Sequence, residues 1–170
     1  MQRSPKRRVP PAIPGDTMAQ PYVPKAQQER HKAIVERYFR EVLDQGRIEL
    51  MPELMAPDVI LHRPGFDVSG LTAAMQRLRS VLQDFTSFSS ELSGVIAESD
   101  LVSLRVRHRT RVRPHVFHSR AGDVSIAGER ALEWTAIAQF RLKDGRIAEE
   151  WVMRDELGML AQMGKVSVAP

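Results

Sequence analysis

The chain has 170 residues, of which 42% are hydrophobic, and it contains no cysteine. This length fits one domain with a sizeable core, and the lack of thiols excludes disulfides, thiolate metal sites and a cysteine nucleophile. The formal charge of +4 belongs to the first 25 residues, which leaves 20 basic and 20 acidic residues in 26–170 and excludes a strongly basic, nucleic-acid-binding domain.

Residues 1–25 contain six prolines and few bulky apolar side chains. Such a segment cannot bury enough apolar surface to offset the entropy of ordering, so we predict a disordered basic extension. Loose engagement of an acidic partner is an alternative role for it. The chain holds no apolar run long enough for a signal peptide or a membrane span. We therefore expect a cytoplasmic protein without membrane contact.

The residues that follow predict helices first. Apolar side chains recur at three- and four-residue spacing from 27 to about 45, which predicts an amphipathic helix ending at Gly46. A second, short helix is predicted over 49–55 and a short strand over 58–62. A further amphipathic helix is predicted over 71–84.

From about residue 86 the hydrophobic period changes from 3.6 to 2, which predicts antiparallel strands joined by tight turns. The predicted strands cover 86–97, 101–113, 129–142 and 145–154. A last short helix is predicted over 156–163. Helices followed by an antiparallel meander favour one α+β domain over 26–165, with a short tail over 166–170.

The strand over 101–113 has two chemically different faces. Arginine occupies every second position from Arg105 to Arg113. This row could bind a polyanion, but no aromatic side chains interleave with it, as a single-strand binding surface would require. We favour the alternative, an outer face whose arginines pair with carboxylates of neighbouring strands or of a second subunit.

The opposite face of this strand is apolar except for His108 and Thr110. If this face lines the core, His108 lies near any internal pocket, either as a catalyst or as a hydrogen-bonded structural residue. His115, in the following loop, is a competing candidate, and His62 could line a cavity mouth or cap a loop. The spacing of the histidines does not match a metal site, so no metal is predicted.

Two later strands carry candidate pocket residues. Trp134 shares a strand face with small alanines, which leave room for a ligand or simply pack against a helix. Side chains of an extended strand alternate between its two faces, so one face of the last strand is apolar and aromatic but carries two carboxylates. Its members are Ile147, Glu149, Trp151, Met153 and Asp155. A carboxylate desolvated there becomes a usable proton acceptor or donor. We therefore predict one wall of a small-molecule pocket, in which Glu149 is a second acid or the partner of an arginine.

The end of the chain carries a longer pattern, Asp144-Gly145-Arg146-Ile147, then Glu149, Trp151 and Asp155, then residues 157–164. This pattern resembles the SnoaL-like polyketide cyclases of the NTF2-like group, whose members typically show D-G-K-I-x-E-x-W-x-x-x-D-x-x-G-L-L-x-Q-L-G. The resemblance implies a cone-shaped α+β fold, with helices packed on a curved, mainly antiparallel sheet that encloses a pocket.

The resemblance also implies chemistry. Asp155 stands where the family's catalytic aspartate stands, and it would act as acid or base in a cofactor-free intramolecular aldol condensation or a related lyase or isomerase reaction. His115 stands near the place where many relatives carry a histidine. The implied substrate is a small apolar carbonyl or polyketide-like compound, and relatives are commonly homodimers or higher oligomers. The alternative is a non-catalytic ligand-binding or assembly module of the same fold.

Overall fold

The structure is a computed structural model that describes residues 23–119 and 122–167. The predicted disordered extension therefore lies outside the described residues, except for residues 23–25, and so does most of the predicted tail. Helix α1 already begins at Lys25.

Helices and helical turns occupy both ends of the described part of the chain and one crossover. They are α1 (Lys25–Arg37), a π-helical turn (Tyr38–Leu43), a 3-10 turn (Ile48–Leu50), α2 (Met51–Leu54), α3 (Leu71–Leu82) and α4 (Glu156–Gln162). Among these described elements, no helix is both long and apolar enough to cross a bilayer.

The π-helical turn widens the end of the first helix. The amide of Asp44 donates to the carbonyl of Phe39, five residues back, at 2.9 Å. The neighbouring side chains of Tyr38 and Phe39 are both 3% exposed. Their rings pack edge-on against Phe140, with centroids 6.1 and 5.9 Å away. This turn therefore anchors the helical layer on the sheet.

Among the described residues, eight strands form the sheets. They are β1 (Met55–Arg63), β2 (Phe66–Ser69), β3 (Phe85–Glu98), β4 (Leu101–Val112), β5 (His115–Phe117), β6 (Val124–Ile126), β7 (Arg130–Lys143) and β8 (Arg146–Arg154). Six of them form one sheet in the order β2-β1-β8-β7-β4-β3, and β5 pairs with β6 separately. Only the β1–β8 pair of this six-stranded sheet is parallel. The predicted α+β class, helices on a curved and mostly antiparallel sheet, is confirmed.

Strand β4 shows why one face of the sheet is covered. Its residues alternate strictly between buried and exposed from Leu104 onwards, and the buried face packs against the helices while the arginines point outwards. We call these two sides the inner face and the outer face.

Strand β8 breaks this regularity. Ile147 is opposite Leu142 of β7, but Glu149 is opposite Arg141, so Ala148 is an extra residue on β8. Such a β-bulge shifts the alternation by one position. Before the bulge the inner-face residue is the odd-numbered Ile147. After the bulge the inner-face residues are the even-numbered Glu150, Val152 and Arg154.

Candidate functional site

A cavity of about 510 Å³ lies between the inner face of the sheet, α3 and the π-helical turn. Its volume is in the range of small-molecule sites. Much of the lining is apolar and includes Phe39, Leu61, Val68, Leu78, Phe88 and Trp134. Polar chemistry enters at two places, one around His108 and one around Glu150.

His108 lies in the wall of this cavity and is 7% exposed. Its ring contacts those of Phe88 and Trp134, with centroids 5.0 and 5.1 Å away, and stacks on Phe39 at 6.1 Å. Burial among these rings lowers the pKa of His108 to about 4. The imidazole is therefore neutral at physiological pH.

A hydrogen-bond chain fixes the tautomer of His108. The hydroxyl of Ser90 donates to Oδ1 of Asp44 at 2.6 Å, and the hydroxyl oxygen of Ser90 lies 3.1 Å from Nδ1 of His108. A serine hydroxyl has one proton, so Ser90 must accept from Nδ1–H of His108. The neutral ring then carries its lone pair on Nε2.

Asp44, at the end of the π-helical turn, is the last acceptor of this hydrogen-bond chain. Burial raises the pKa of its carboxyl, and the hydrogen bond from Ser90 opposes that rise. Sequence reasoning missed both Asp44 and Ser90, because they lie 46 residues apart along the chain and form no local motif.

Glu150 and Arg63 form the second polar centre. The guanidinium of Arg63 donates to Oε2 of Glu150 at 2.8 Å, and the side chain of Glu150 is only 4% exposed. Nearby, burial and then the charge of Glu150 raise the pKa of Tyr38. Sequence reasoning missed Glu150, since strict alternation assigns it to the outer face.

The structure does not bring the predicted wall residues Glu149, Trp151 and Met153 to this cavity. The bulge at Ala148 turns these side chains to the outer face, and none of them lines the cavity. Met153 is 68% exposed. Glu149 instead pairs with Arg141 at 3.4 Å, which is the alternative role considered from the sequence.

His62 joins the same outer-face group rather than the cavity lining. Its ring stacks on Trp151 with centroids 5.0 Å apart, and its Nδ1 lies 3.0 Å from Oδ1 of Asp67. The structure does not bring it to the cavity mouth, which is lined instead by the next residue, Arg63, together with Pro64.

Asp155 also lies away from the cavity, beside an open hollow on the outer face that Met153 and Ile137 line. Its Oδ1 accepts from the amide of Gly158 at 2.8 Å, so Asp155 caps the N-terminus of α4. A Cβ at position 158 would collide with this carboxylate, which explains an Asp-x-x-Gly pattern in purely structural terms. The predicted catalytic role of Asp155 stays a prediction.

The cap gives a first testable expectation. Asp155→Ala should lower the free energy of unfolding by about 1 kcal/mol, because an amide of α4 loses its acceptor. Asp155→Asn should change it by much less, since asparagine also caps helices. Urea unfolding of the two variants and the wild type measures both values, and equal losses in the two variants would rule out the cap as the source.

His115 is not part of the cavity lining. Its Nδ1–H donates to the carbonyl of Arg113 at 2.8 Å, and its Nε2 lies 4.0 Å from Asp84. His118 does line the cavity mouth, where it contacts Asp123. Within 23–119 and 122–167, no three potential ligands are grouped as a metal site would require.

Arg107, Arg109 and Arg111 of the arginine row on β4 pair with carboxylates on the outer face. Arg109 lies 3.0 Å from both Glu91 of β3 and Glu133 of β7, and Arg111 lies 2.6 Å from Glu129. The expected pairing with neighbouring strands is confirmed. Ile96 and Ile137 are more than 60% exposed on the same sheet, and the self-association expected there stays a prediction.

The family model of SnoaL-like polyketide cyclases matches residues 33–163 of this chain. The chain belongs to that family. The match includes the cavity, the π-helical turn and the cap of α4. No curated protein matches the chain.

Solved structures similar to this SnoaL-like chain differ in assigned chemistry. AclR from Streptomyces galilaeus, a proposed hydroxylase, has a TM-score of 0.70 at 20% identity, covering 84% of this chain and 90% of its own. A proposed SnoaL-like polyketide cyclase from Jannaschia sp. CCS1 has a TM-score of 0.68 at 19% identity, covering 88% and 100%. An epoxide hydrolase of the LEH-like type from M. tuberculosis has a TM-score of 0.62 at 16% identity, covering 82% of this chain and 92% of its own. These similarities show the fold.

Proposed function

We propose that this chain catalyses cofactor-free proton transfer on a small apolar carbonyl compound, as in an intramolecular aldol cyclisation, with His108 as acid and base. The observation that carries the proposal is the Asp44–Ser90–His108 chain, which ends in an apolar cavity of about 510 Å³. An ionisable side chain held in one orientation inside such a cavity is the usual mark of acid–base catalysis.

The reaction is balanced within one substrate molecule. Nε2 of His108 takes a proton from the carbon next to a carbonyl, and the resulting enolate carbon attacks a second carbonyl of the same molecule. A carbon–carbon bond forms, and the new alkoxide oxygen takes the proton back from Nε2. Asp44, acting through Ser90, stabilises the imidazolium that exists between these two steps.

The low pKa of His108 has two opposite effects. It keeps the imidazole neutral and ready to accept a proton over the whole physiological range. It also makes the imidazolium costly in the free protein, where the burial that lowers the pKa is uncompensated. In the complex the enolate carries a negative charge beside the ring, so the cation gains a partner when it forms.

The acid/base role that the sequence suggests for Asp155 has weaker support than the same role for His108. Its carboxylate caps α4 and lies beside the outer hollow rather than in the cavity. The two assignments are separable, because Asp155→Asn keeps a capping side chain and His108→Gln keeps a hydrogen-bond donor for Ser90.

The test measures proton removal directly. The full chain is mixed with α-tetralone in D₂O at pD 7.5, and exchange of the protons next to the carbonyl is followed by proton NMR. We expect exchange faster than the background, a reduction of about 10²-fold or more in His108→Gln, and a wild-type rate in Asp155→Asn.

Two results would contradict this proposal. Loss of exchange in Asp155→Asn, with activity retained in His108→Gln, would return the acid/base role to Asp155. Binding of α-tetralone without any exchange would favour the other reading of this fold, a ligand-binding module.

A further inference from the structure

One end of the cavity is charged. Five charged side chains line it, Arg63, Arg77, Glu150, Arg154 and Glu156. They come from β1, α3, β8 and the start of α4. Three are cationic and two anionic, so this end of the cavity carries a net positive charge among the described residues. The proposed proton transfer at His108 uses none of them.

Arg63 is already neutralised by Glu150. Their hydrogen bond is 2.8 Å long and Glu150 is nearly fully buried, so this carboxylate is committed to one guanidinium. Burial lowers the pKa of Arg63, but the charge of Glu150, the charge of Tyr38 and the hydrogen bond to Glu150 together raise it overall. The remaining positive charge at this end of the cavity therefore resides on Arg77 and Arg154.

Arg154 is poorly compensated. Its closest carboxylate among the described residues is Glu156, at 3.7 Å, which is longer than a charge-assisted hydrogen bond. Burial lowers the pKa of Arg154, and the like charges of Arg63 and Arg77 add to this against the opposing effect of Glu156. Its guanidinium rests over the ring of Phe117, 5.8 Å from the centroid. It is therefore held at the cavity by an aromatic face.

Arg77 shows the same arrangement on the other side. Its guanidinium lies over the ring of Phe66, 5.8 Å from the centroid. In the part of the chain that the structure describes, no carboxylate comes within salt-bridge distance of it. Two guanidiniums thus line one cavity, each over an aromatic ring, and Glu156 is the only carboxylate of the described residues within salt-bridge distance of either.

We propose that Arg77 and Arg154 bind a carboxylate group of the ligand, whose apolar body fills the cavity as far as His108. The planar guanidinium matches a carboxylate in a bidentate geometry, and an anion here would relieve the repulsion between the arginines. The ligand class is an apolar carboxylic acid that also carries a carbonyl group. This inference rests on the proposed function for the carbonyl group of the ligand and for the shared cavity.

The test compares two ligands of the same shape. Isothermal titration calorimetry with the full chain at pH 7.5 and low salt measures the Kd of 2-naphthoate and of its neutral amide, 2-naphthamide. We expect wild type to bind the acid at least 10-fold tighter than the amide. High salt should reduce this ratio, because these arginines are partly exposed.

Three variants locate the anion site. In Arg77→Gln and Arg154→Gln the Kd of 2-naphthoate should rise until it is close to that of 2-naphthamide. The Kd of the amide should stay at the wild-type value, which shows that the cavity is intact. Arg111→Gln, which removes an outer-face arginine that pairs with Glu129, is the matched control and should bind both ligands as wild type does. If Arg154→Gln does not fold, Arg77→Gln, at an exposed position of α3, carries the test.

Equal affinities for acid and amide in wild type would overturn the anion site and leave the acid–base proposal standing. An equal loss of acid binding in Arg111→Gln would overturn it as well, because the effect would then come from overall charge. Binding of neither ligand would overturn both proposals, since the cavity would not accept an apolar bicyclic molecule.

Discussion

Arg63→Met is expected to lower the free energy of unfolding by about 3 kcal/mol, because it leaves the carboxylate of Glu150 buried without its cation. The side chain of Glu150 is 4% exposed, whereas that of Arg63 is 25% exposed, so water reaches only one partner. The partial exposure of Arg63 places the expected loss at the lower end for a buried pair. Urea unfolding at pH 7.5 measures this loss.

Two further variants separate the pair from the side chain. The double variant Arg63→Met, Glu150→Leu should recover most of the loss, since no unpaired charge remains. Arg111→Met breaks the exposed pair with Glu129 and should cost much less. The interpretation is wrong if Arg63→Met and Arg111→Met are equally destabilising.

Acid should destabilise the protein through His108. The pKa of this residue is lowered from 6.5 to about 4 by burial, so between these values the unfolded chain binds a proton that the folded chain excludes. Stability therefore rises with pH across this window, and it falls as the pH drops from about 6.5 towards 4. The full loss is about 3 kcal/mol for a shift of this size.

The measurement is the free energy of unfolding at pH 7.5, 6.0 and 5.0. His108→Gln should show a shallower decline than wild type, and His118→Gln, whose side chain is 77% exposed, should not. His31 is present in all of these proteins, and burial also lowers its pKa, so some acid sensitivity remains in His108→Gln. Identical declines in wild type and His108→Gln would contradict the assignment.

Hydrophobic periodicity was sufficient to predict the layers of the fold. The helices and the long strands β3, β4, β7 and β8 follow their predicted ranges within a few residues, because each has enough turns or alternations to define its period. Strands β2, β5 and β6 were missed. With only three or four residues each, they show no detectable alternation.

The site was less predictable because it depends on contacts between distant segments. The direction of His108 follows from its neighbours on β4, and that local signal is visible in the sequence. The sequence does not show which residues of β8 lie on the inner face, because the extra residue Ala148 is recognised only from the pairing with β7. A pattern of alternate residues cannot reveal a bulge, so strict alternation places Glu149 and Trp151 on the inner face, where the structure has Glu150.

The two tryptophans lie on opposite sides of one sheet. Trp134 is enclosed with Phe85, Phe88 and His108. Trp151 lies between the ring of His62 and the guanidinium of Arg141, on the outer face. The intrinsic fluorescence of the protein is therefore the sum of two separate reporters. A ligand that fills the cavity changes the emission of Trp134, and a molecule that covers the outer face changes the emission of Trp151.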